Sequence, residues 1–454
     1  MKRSSLRILL ILSWFAITAL ACNLSGSDAP PTLVPRVTDT PLPTIGYATL
    51  SPEELPQAVV TAAPADANLS SLLNRVESDR LFLHVDALQR LYTRHVNSPD
   101  QPDRGIAAAY RYVRAQFEEI QKASGGSFSI FDHPFTLDWA GVTTVQYNIV
   151  GIIQGKEVGG GIILVGAHYD SISMAPDDPS YNAPGANDNG SGVAALIELA
   201  RILAARPHRA TIMLVAFSAE EVGRKGSIEF VKYLQARQIP INYMLNLDII
   251  GSADGPNGEI RDGEIRAFSA GPNESASRQL ARVLELVNFQ YMPSMRVTVQ
   301  DEVDRAGRYG DHMSFSEAGI PAVRLIEALE ERQRHHTPQD TIEDIDAVYL
   351  ARATQTALAA ITALADGPPP PRNLSLRDNS SGTRTLVWEP SPGAAGYIVA
   401  LRRPNSLYYD QQFPWNGTSV DWDGFVSSQF AALAVFAIDS AGLMGPPSPE
   451  YAIR

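Results

Sequence analysis

Residues 161–206, "GIILVGAHYDSISMAPDDPSYNAPGANDNGSGVAALIELARILAAR", decide the fold of this chain. The apolar run GIILVGA is typical of a strand buried on both faces of a sheet. A Pro- and Asp-rich loop follows, and an Asn-, Asp- and Gly-rich turn then leads directly into the helical period of SGVAALIELARILAAR. A buried strand, a loop and a helix in this order predict an α/β fold.

The same alternation continues through residues 68–366. Further apolar strand candidates are VQYNIVGIIQG, ATIMLVAFS, NYMLNLDIIG, EIRAFSA and AVRLIEA. Helical periods lie between or after them at GSIEFVKYLQAR, ASRQLARVLELVNF and DAVYLARATQTALAAITALA. Two more precede them, at LSSLLNRVESDRLFLHVDALQRL and GIAAAYRYVRAQFEEIQ. We therefore predict a mostly parallel sheet with helices on both faces.

Acidic and imidazole side chains fall at the carboxyl ends of these strands, where open α/β sheets bind ligands. They are His168, Asp170, Asp188, Glu220, Glu221, Asp248, His335 and His336. Each motif alone has a structural alternative, because turns and helix caps use the same residue types. Carboxylates and imidazoles rarely end buried strands unless a positive charge holds them. Their convergence at one edge of the sheet therefore favours a metal site.

Composition narrows the class of protein and of partner. The chain has 454 residues, of which 44% are hydrophobic and 19% are charged, and its formal net charge is -13. This length accommodates one large domain and a smaller one. The negative charge argues against nucleic acid or an anionic membrane surface as a partner, because both require a basic face.

The N-terminal 22 residues predict a signal peptide. A basic MKRSSLR precedes the apolar ILLILSWFAITALA, which ends at Cys22, the one cysteine of the chain. The tetrapeptide ALAC resembles the lipobox of bacterial lipoproteins, which implies that Cys22 is acylated and anchors the protein to a membrane. The alternative is an ordinary cleaved signal peptide with an incidental cysteine. Residues 23–67 are rich in Pro and Thr and predict an extended tether, so we expect an extracytoplasmic bacterial protein.

Six motifs together resemble a known family. They are GAHYDS, GANDNGSG, FSAEEVG, NLDIIG, GDHMSFSEAGIPAV and HHTPQDT. In this order they resemble the co-catalytic di-zinc aminopeptidases of secreted bacterial type. That family includes glutamate carboxypeptidases, glutaminyl cyclases and the transferrin receptor ectodomain among its relatives. The resemblance covers roughly residues 80–366.

The resemblance implies two zinc ions per chain and a ligand set for them. His168 and Asp248 would bind the first zinc, and Glu221 and His336 would bind the second. Asp188 would bridge the two. His336 rather than His335 is expected to be the ligand, because the family pattern is His-Thr-x-x-Asp.

Five further residues receive supporting or catalytic roles from the same resemblance. Glu220 would be the general base, which takes a proton from water and passes it to the leaving amine. Asp170 would orient the imidazole of His168. Asp311 and His312 match a pair that supports the site without binding metal. Tyr309 is the candidate for the tyrosine that helps to hold the developing oxyanion.

The function implied is a membrane-tethered zinc aminopeptidase that removes N-terminal residues from peptides. Glutaminyl cyclase and carboxypeptidase activities stay open as alternatives, as does a non-catalytic binding or adhesion lipoprotein. Non-catalytic relatives lose ligands or the base, and this chain keeps all six of those positions. The DNGSG sequence at the bridging Asp188 favours an aminopeptidase over a cyclase.

Residues 369–454 form a second unit. Short apolar runs in TRTLVWEPSPGAAGYIVALRR and FAALAVFAIDSAGLMGPPSPEYAI, with Pro- and Gly-bearing turns, predict a β-sandwich. It resembles a fibronectin type III domain, with Trp388 as the core tryptophan and Tyr397 in a strand, although QFAALAV stands where a corner tyrosine is usual. We expect surface or polysaccharide association rather than catalysis. The Pro-rich GPPPP marks a boundary, so we expect residues 68–366 to hold the metals alone.

Overall fold

A computed structural model describes residues 67–454 of the chain. The predicted signal peptide and Cys22 lie outside the described residues, as does almost all of the predicted tether. Among residues 67–454, none of the helices combines the length and the apolar character that crossing a bilayer requires.

The helices lie close to the positions that the sequence predicts. They are α1 (Ala67–Leu73), α2 (Ser78–Gln89), α3 (Gly105–Ala123), α4 (Gly192–Leu203), α5 (Lys225–Ala236), α6 (Ala276–Tyr291), α7 (His312–Glu317) and α8 (Ala347–Asp366). The predicted helical period at residues 69–91 forms two helices with a break between them, because α1 ends at Leu73 and α2 begins only at Ser78. That break lets the amide of Glu77 donate to the buried Glu198 carboxylate at 2.9 Å. The short α7 has no counterpart in the sequence prediction.

Eight strands form one mixed sheet. They are β1 (Phe128–Trp139), β2 (Val142–Ile153), β3 (Ile162–His168), β4 (Thr211–Phe217), β5 (Tyr243–Leu247), β6 (Glu264–Ser269), β7 (Arg296–Val299) and β8 (Ala322–Glu327). Their order is β1-β2-β4-β3-β5-β8-β6-β7, and the central β4, β3, β5 and β8 are parallel to one another. The strands β1 and β7 are not among those predicted, because β1 contains a proline at an edge of the sheet and β7 spans only four residues.

Alternating side chains of β3 show that both faces of the sheet are covered. Ile163 and Val165 belong to the hydrophobic cluster that contains side chains of α4 and α8. Leu164 belongs to a separate cluster on the other face, with Phe230 of α5 and Phe315 of α7. The predicted α/β class with helices on both faces is therefore confirmed.

The C-terminal unit is a β-sandwich. Its strands are β9 (Arg372–Asp378), β10 (Arg384–Glu389), β11 (Gly396–Arg402), β12 (Gln411–Trp415), β13 (Ser419–Trp422), β14 (Ala432–Ile438), β15 (Met444–Pro447) and β16 (Tyr451–Ala452). One sheet has the order β13-β10-β9; in the other, β12-β11-β14-β15 are neighbours and β16 pairs with β14. Trp388 is buried and packs edge-on against Tyr397 at 5.3 Å, so its predicted place in the core is confirmed.

The sandwich and the larger α/β part share a hydrophobic core. Within β11, Val399 lies in the interior cluster of the sandwich, whereas Ile398 and Ala400 belong to the cluster that contains α6 and α8. Buried polar contacts cross the same boundary, since Gln279 of α6 donates to the carbonyl of Ser448 at 2.8 Å. The strand is therefore apolar on both faces because both faces are covered.

Candidate metal centre

The predicted site residues meet at the carboxyl ends of the central strands. His168 is the last residue of β3, and Asp248 directly follows β5. Glu221 lies just beyond β4, and His336 lies in the segment after β8. Asp188 sits in a π-helical turn, Ala186–Ser191, that leads into α4. Because parallel strands end at the same edge, five separate segments deliver one side chain each to a common centre.

These five residues form two donor groups that share Asp188. In the first group, His168 Nε2 lies 3.3 Å from Asp188 Oδ1 and 3.5 Å from Asp248 Oδ1. In the second, His336 Nε2 lies 3.3 Å from Asp188 Oδ2 and 3.1 Å from Glu221 Oε2. Asp188 therefore presents a different carboxylate oxygen to each group, which is the geometry that a bridging ligand requires.

One buried carboxylate oxygen in these groups fits a cation. Glu221 Oε1 has no hydrogen-bond partner within the described residues. Burying such an atom unpaired is costly, so a native structure normally supplies a partner. One imidazole and two carboxylates per group, with room for water, are a donor set that suits zinc. The residues present thus fit a pair of zinc ions.

His335 and His336 are adjacent in sequence but differ in surroundings. His336 joins the second donor group, whereas the buried His335 places its Nδ1 atom 3.0 Å from Arg308 Nη2. Burial is the main reason that the pKa of His335 is lowered to about 4. Of the two histidines, His336 is the one that lies with Asp188 and Glu221.

Asp170 organises the segment that carries both glutamates. Its two carboxylate oxygens accept hydrogen bonds from the amides of Glu220 and Glu221, each at 3.1 Å. The Nδ1 atom of His168 is 3.2 Å from the backbone carbonyl of Asp170 and 3.6 Å from its carboxylate. The carboxylate therefore acts more on the glutamate pair than on the imidazole, which differs in emphasis from the sequence-based expectation.

Comparison with known proteins places the chain in a family. The family model described as Peptidase family M28 matches residues 148–361. A probable zinc metalloprotease of Pyricularia oryzae is 30% identical over 91% of this chain and 90% of that relative. The chain belongs to peptidase family M28. A probable zinc metalloprotease of Leptosphaeria maculans is 31% identical to this M28 peptidase over 79% of the chain and 88% of that relative.

Solved structures share the fold of this M28 peptidase. The LapA aminopeptidase of Legionella pneumophila superimposes with a TM-score of 0.54 at 21% identity, over 68% of this chain and 77% of that one. An aminopeptidase of Aneurinibacillus superimposes with a TM-score of 0.51 at 17% identity, over 66% of this chain and 96% of that one. At this level of identity the likeness concerns the fold.

The two adjacent glutamates of the M28 peptidase occupy different positions. Glu221 has a side chain that is 7% exposed and lies in the second donor group. Glu220 is outside both donor groups and, like Glu221, is partly buried. Burial raises the pKa of the Glu220 carboxyl well above its usual range, and the nearby carboxylate of Asp311 raises it further, against the opposing effect of His168.

The three remaining predicted residues lie in and before α7. Asp311 is fully buried close to Glu220, and burial raises the pKa of its carboxyl to about 7. His312 is also buried, and its Nε2 atom lies 2.8 Å from the carbonyl of Val303 rather than in a donor group. Tyr309 is 48% exposed, at the end of the loop that leads into this helix. Asp311 thus lies near Glu220, whereas the Nε2 atom of His312 faces the backbone of Val303.

Two residues that the sequence analysis did not single out hold the segment between the first ligands. Asp340 accepts hydrogen bonds from the amides of Asn187 and Asp188, at 2.7 and 3.0 Å. The fully buried Arg94 donates to the carbonyls of Tyr169 and Gly185, at 2.7 and 2.9 Å. Asp340 could have been noticed as the acidic residue of HHTPQDT. Arg94 has no motif around it, so only the tertiary structure reveals it.

The stability of the zinc-free protein should depend on pH. Burial raises the pKa of Asp340 to about 6 and that of Asp311 to about 7, whereas an unfolded aspartate titrates near about 3.9. Because the folded-state value is the higher one, this contribution is fully present below about pH 4 and is lost as pH rises through 6 to 7. His336 acts in the same direction, since Glu221, against the effect of burial, raises the pKa of its imidazole to about 11.

Buried histidines such as His335, whose pKa is lowered, add stability as pH rises only up to about 6.5, so we expect the melting temperature of the zinc-free M28 peptidase to fall between about pH 6.5 and about pH 8. Differential scanning calorimetry at several pH values would measure the fall. The Asp311→Asn variant is the control, because it removes one of the titrating groups and should flatten the profile. A zinc-free protein that became more stable over this range would contradict the expectation.

Proposed function

We propose that this M28 peptidase is a zinc aminopeptidase, which holds two zinc ions and removes N-terminal residues from peptides. The observation that carries the proposal is the pair of donor groups that share Asp188, with Glu220 beside them. The M28 relatives named as probable zinc metalloproteases support zinc as the metal. Structural neighbours that are aminopeptidases support the exopeptidase reading.

Different residues of the chain would have different roles in hydrolysis. His168, Asp188 and Asp248 would hold one ion, and Glu221 and His336 with Asp188 would hold the other. When bound, zinc supplies Lewis-acid polarisation of the scissile carbonyl and makes water more acidic.

Glu220 would accept the proton of the attacking water and deliver it to the leaving amine, for which its partial exposure and raised pKa suit it. Asp170 fixes the backbone from which both glutamates project, so each carboxylate keeps its own position.

A loop beside the donor groups is placed to contact a bound peptide. Loop 171–184 reaches the second group, where the amide of Met174 donates to the carbonyl of His336 at 2.9 Å. The loop is fastened to the β1–β2 hairpin, because Trp139 Nε1 donates to the carbonyl of Pro176 at 3.3 Å. Met174 is 75% exposed and Tyr181 is 54% exposed, so apolar side chains are available to a bound peptide.

Metal analysis combined with a substrate panel tests the proposal. The purified protein should contain close to two zinc ions per chain and should hydrolyse aminoacyl chromogenic substrates but not their N-blocked counterparts. Cleavage of C-terminal residues would favour a carboxypeptidase, and cyclisation of N-terminal glutamine would favour a cyclase. A protein that binds zinc but turns over none of these substrates would favour a binding function.

The N-terminal sequence supports an extracytoplasmic, membrane-anchored protein as part of the same proposal. Acyl chains on Cys22 would hold the mature protein at a membrane, since two or more chains give stable anchoring. We expect the Cys22→Ala variant to leave the membrane fraction or to accumulate with its signal peptide uncleaved. Fractionation and the mass of the mature N-terminus would measure both. A Cys22→Ala protein that is processed normally and stays membrane-bound would rule out lipid anchoring.

A further inference from the structure

A buried arginine in β8 lies between two carboxylates. Arg324 Nη2 is 3.0 Å from Asp248 Oδ1, and Arg324 Nη1 is 3.2 Å from Asp304 Oδ2. The three side chains are 2%, 2% and 0% exposed, respectively. Charges buried this deeply need partners, because removal of one leaves another uncompensated. Arg324 therefore links a residue of the first donor group to a residue outside it.

Asp304 joins this link to the loop that precedes α7. Its Oδ2 atom accepts a hydrogen bond from the amide of Gly310 at 2.9 Å, and its Oδ1 atom accepts one from the amide of Arg305 at 2.7 Å. The loop thereby packs directly on the donor group. A Cβ atom at Gly310 would lie 2.9 Å from Asp248 Oδ2 and 3.1 Å from Arg324 Nη1, so a side chain there would have to displace one of them.

Arg324 constrains Asp248 by charge at the carboxylate and by a hydrogen bond at the backbone. The Asp248 Oδ1 atom receives no directed hydrogen bond from residues 67–454, although Arg324 Nη2 is 3.0 Å away. The hydrogen bond of that Nη2 group runs instead to the backbone carbonyl of Asp248, at 3.5 Å. The arginine thus holds the aspartate by charge and through its backbone, and the same Oδ1 atom lies 3.5 Å from His168 Nε2.

We propose that Arg324 is a positioning residue that binds Asp248 and loop 304–310 into one unit. This inference rests on the proposed function, because it takes Asp248 to be a zinc ligand. The link sets the orientation of the Asp248 carboxylate, and with it the zinc affinity of the first donor group. It also fixes the loop that carries Tyr309. One buried side chain therefore connects the metal centre to the loop beside it.

The Arg324→Lys variant tests this role. Lysine keeps the positive charge, but a single ammonium group cannot reproduce the planar fork that reaches both carboxylates. Removal of a partner that orients a ligand typically weakens metal affinity by about 10- to 100-fold. We expect a loss of that size at one of the two zinc sites, with the other site changed by no more than a few-fold. Hydrogen exchange in loop 304–310 should become faster.

Stepwise zinc titration of the metal-free protein against a chromogenic chelator would measure both affinities. Arg402→Lys is the matched control, because Arg402 is equally buried and is paired with Glu450 in the sandwich, 3.2 Å away. We expect this control to leave both zinc affinities unchanged. Equal loss in the control would show a general effect of placing lysine in the core, and would overturn the inference.

A charge effect without positioning has a different signature. If Arg324 only repelled zinc, Arg324→Lys would bind zinc as wild type does and Arg324→Met would bind it more tightly. That pair of results would overturn the inference while the proposed function stood. A wild-type protein that bound no zinc would overturn the proposed function itself.

If Arg324→Lys fails to fold, Asp304→Asn tests the same link from its other end. Both carboxylate oxygens of Asp304 accept N–H groups, and asparagine can offer only one acceptor oxygen. We expect weaker zinc binding at one site here too. Unchanged affinity in a folded Asp304→Asn protein would contradict the role.

Discussion

The Glu220→Gln variant is expected to keep both zinc ions and to lose about 100-fold or more in turnover, the usual scale for a general base. Glutamine preserves the shape of the side chain but cannot accept the proton of the attacking water. Zinc should stay because Glu220 lies outside both donor groups. Its backbone should also stay in place, since the Asp170 carboxylate holds the amide rather than the side chain. Zinc content and steady-state kinetics, measured on the same preparation, provide the test.

Glu221→Gln is the matched control, because it makes the same chemical change one residue away. Glu221 belongs to the second donor group, 3.1 Å from His336 Nε2, so its replacement should weaken one zinc site and lower activity. The two variants therefore separate by zinc content rather than by activity. If Glu220→Gln lost zinc and Glu221→Gln kept both ions, the two roles would be exchanged. If neither variant changed turnover, the proposed mechanism would be wrong.

Removal of residues 369–454 is expected to abolish the folded state. The deletion would expose the side chains of α6 and α8 that pack against Ile398, Phe436 and Met444. It would also leave the fully buried Arg282 without Glu450, whose carboxylate lies 2.9 Å away. Single domains are stable by only about 5–15 kcal/mol, so the loss of a core face and of a buried ion pair exceeds the available margin.

A matched pair of substitutions tests this coupling within the intact chain. Phe436 belongs to the shared cluster, and Phe413 belongs to the interior cluster of the sandwich. Replacement of either by alanine should cost about 3–5 kcal/mol of unfolding free energy. Because the core is shared, we expect the metal centre and the sandwich to unfold in one transition in both variants.

A soluble chain ending near Ala365 that kept its zinc and turnover would show that the smaller unit is dispensable, as the Pro-rich boundary had suggested.

The sequence predicts the donor groups well because each of them is encoded locally. His168 and Asp248 stand at the ends of apolar runs, and a buried strand that ends in a charged residue is recognisable without a structure. The family pattern His-Thr-x-x-Asp, which the resemblance supplies, then points to His336 rather than His335.

Side chains that act across the fold are less predictable. Arg324 stands in the middle of AVRLIEA, where a charged residue signals a buried partner, but nothing local names Asp304 or Asp248 as that partner. Arg94 is similar, since its acceptors lie 75 to 91 positions away in the chain. The docking of the sandwich could have been suspected from GYIVALRR, because a half-exposed strand would alternate polar and apolar residues. The face of α6 and α8 against which the sandwich packs could not have been identified from the sequence.

The junction between α8 and the sandwich affects the orientation of the molecule when the sandwich is attached to a surface. Arg209 Nε donates to the carbonyl of Gly367 at 2.8 Å, and a Cβ atom at Gly367 would lie 2.4 Å from Gly445 Cα. A segment packed this closely cannot act as a hinge between α8 and the sandwich. If the sandwich attaches the protein to a polysaccharide or another surface, the same attachment determines the direction in which the candidate metal centre faces. Lengthening the connection at GPPPP would then not restore freedom of movement, because the shared core, and not the linker, sets that angle.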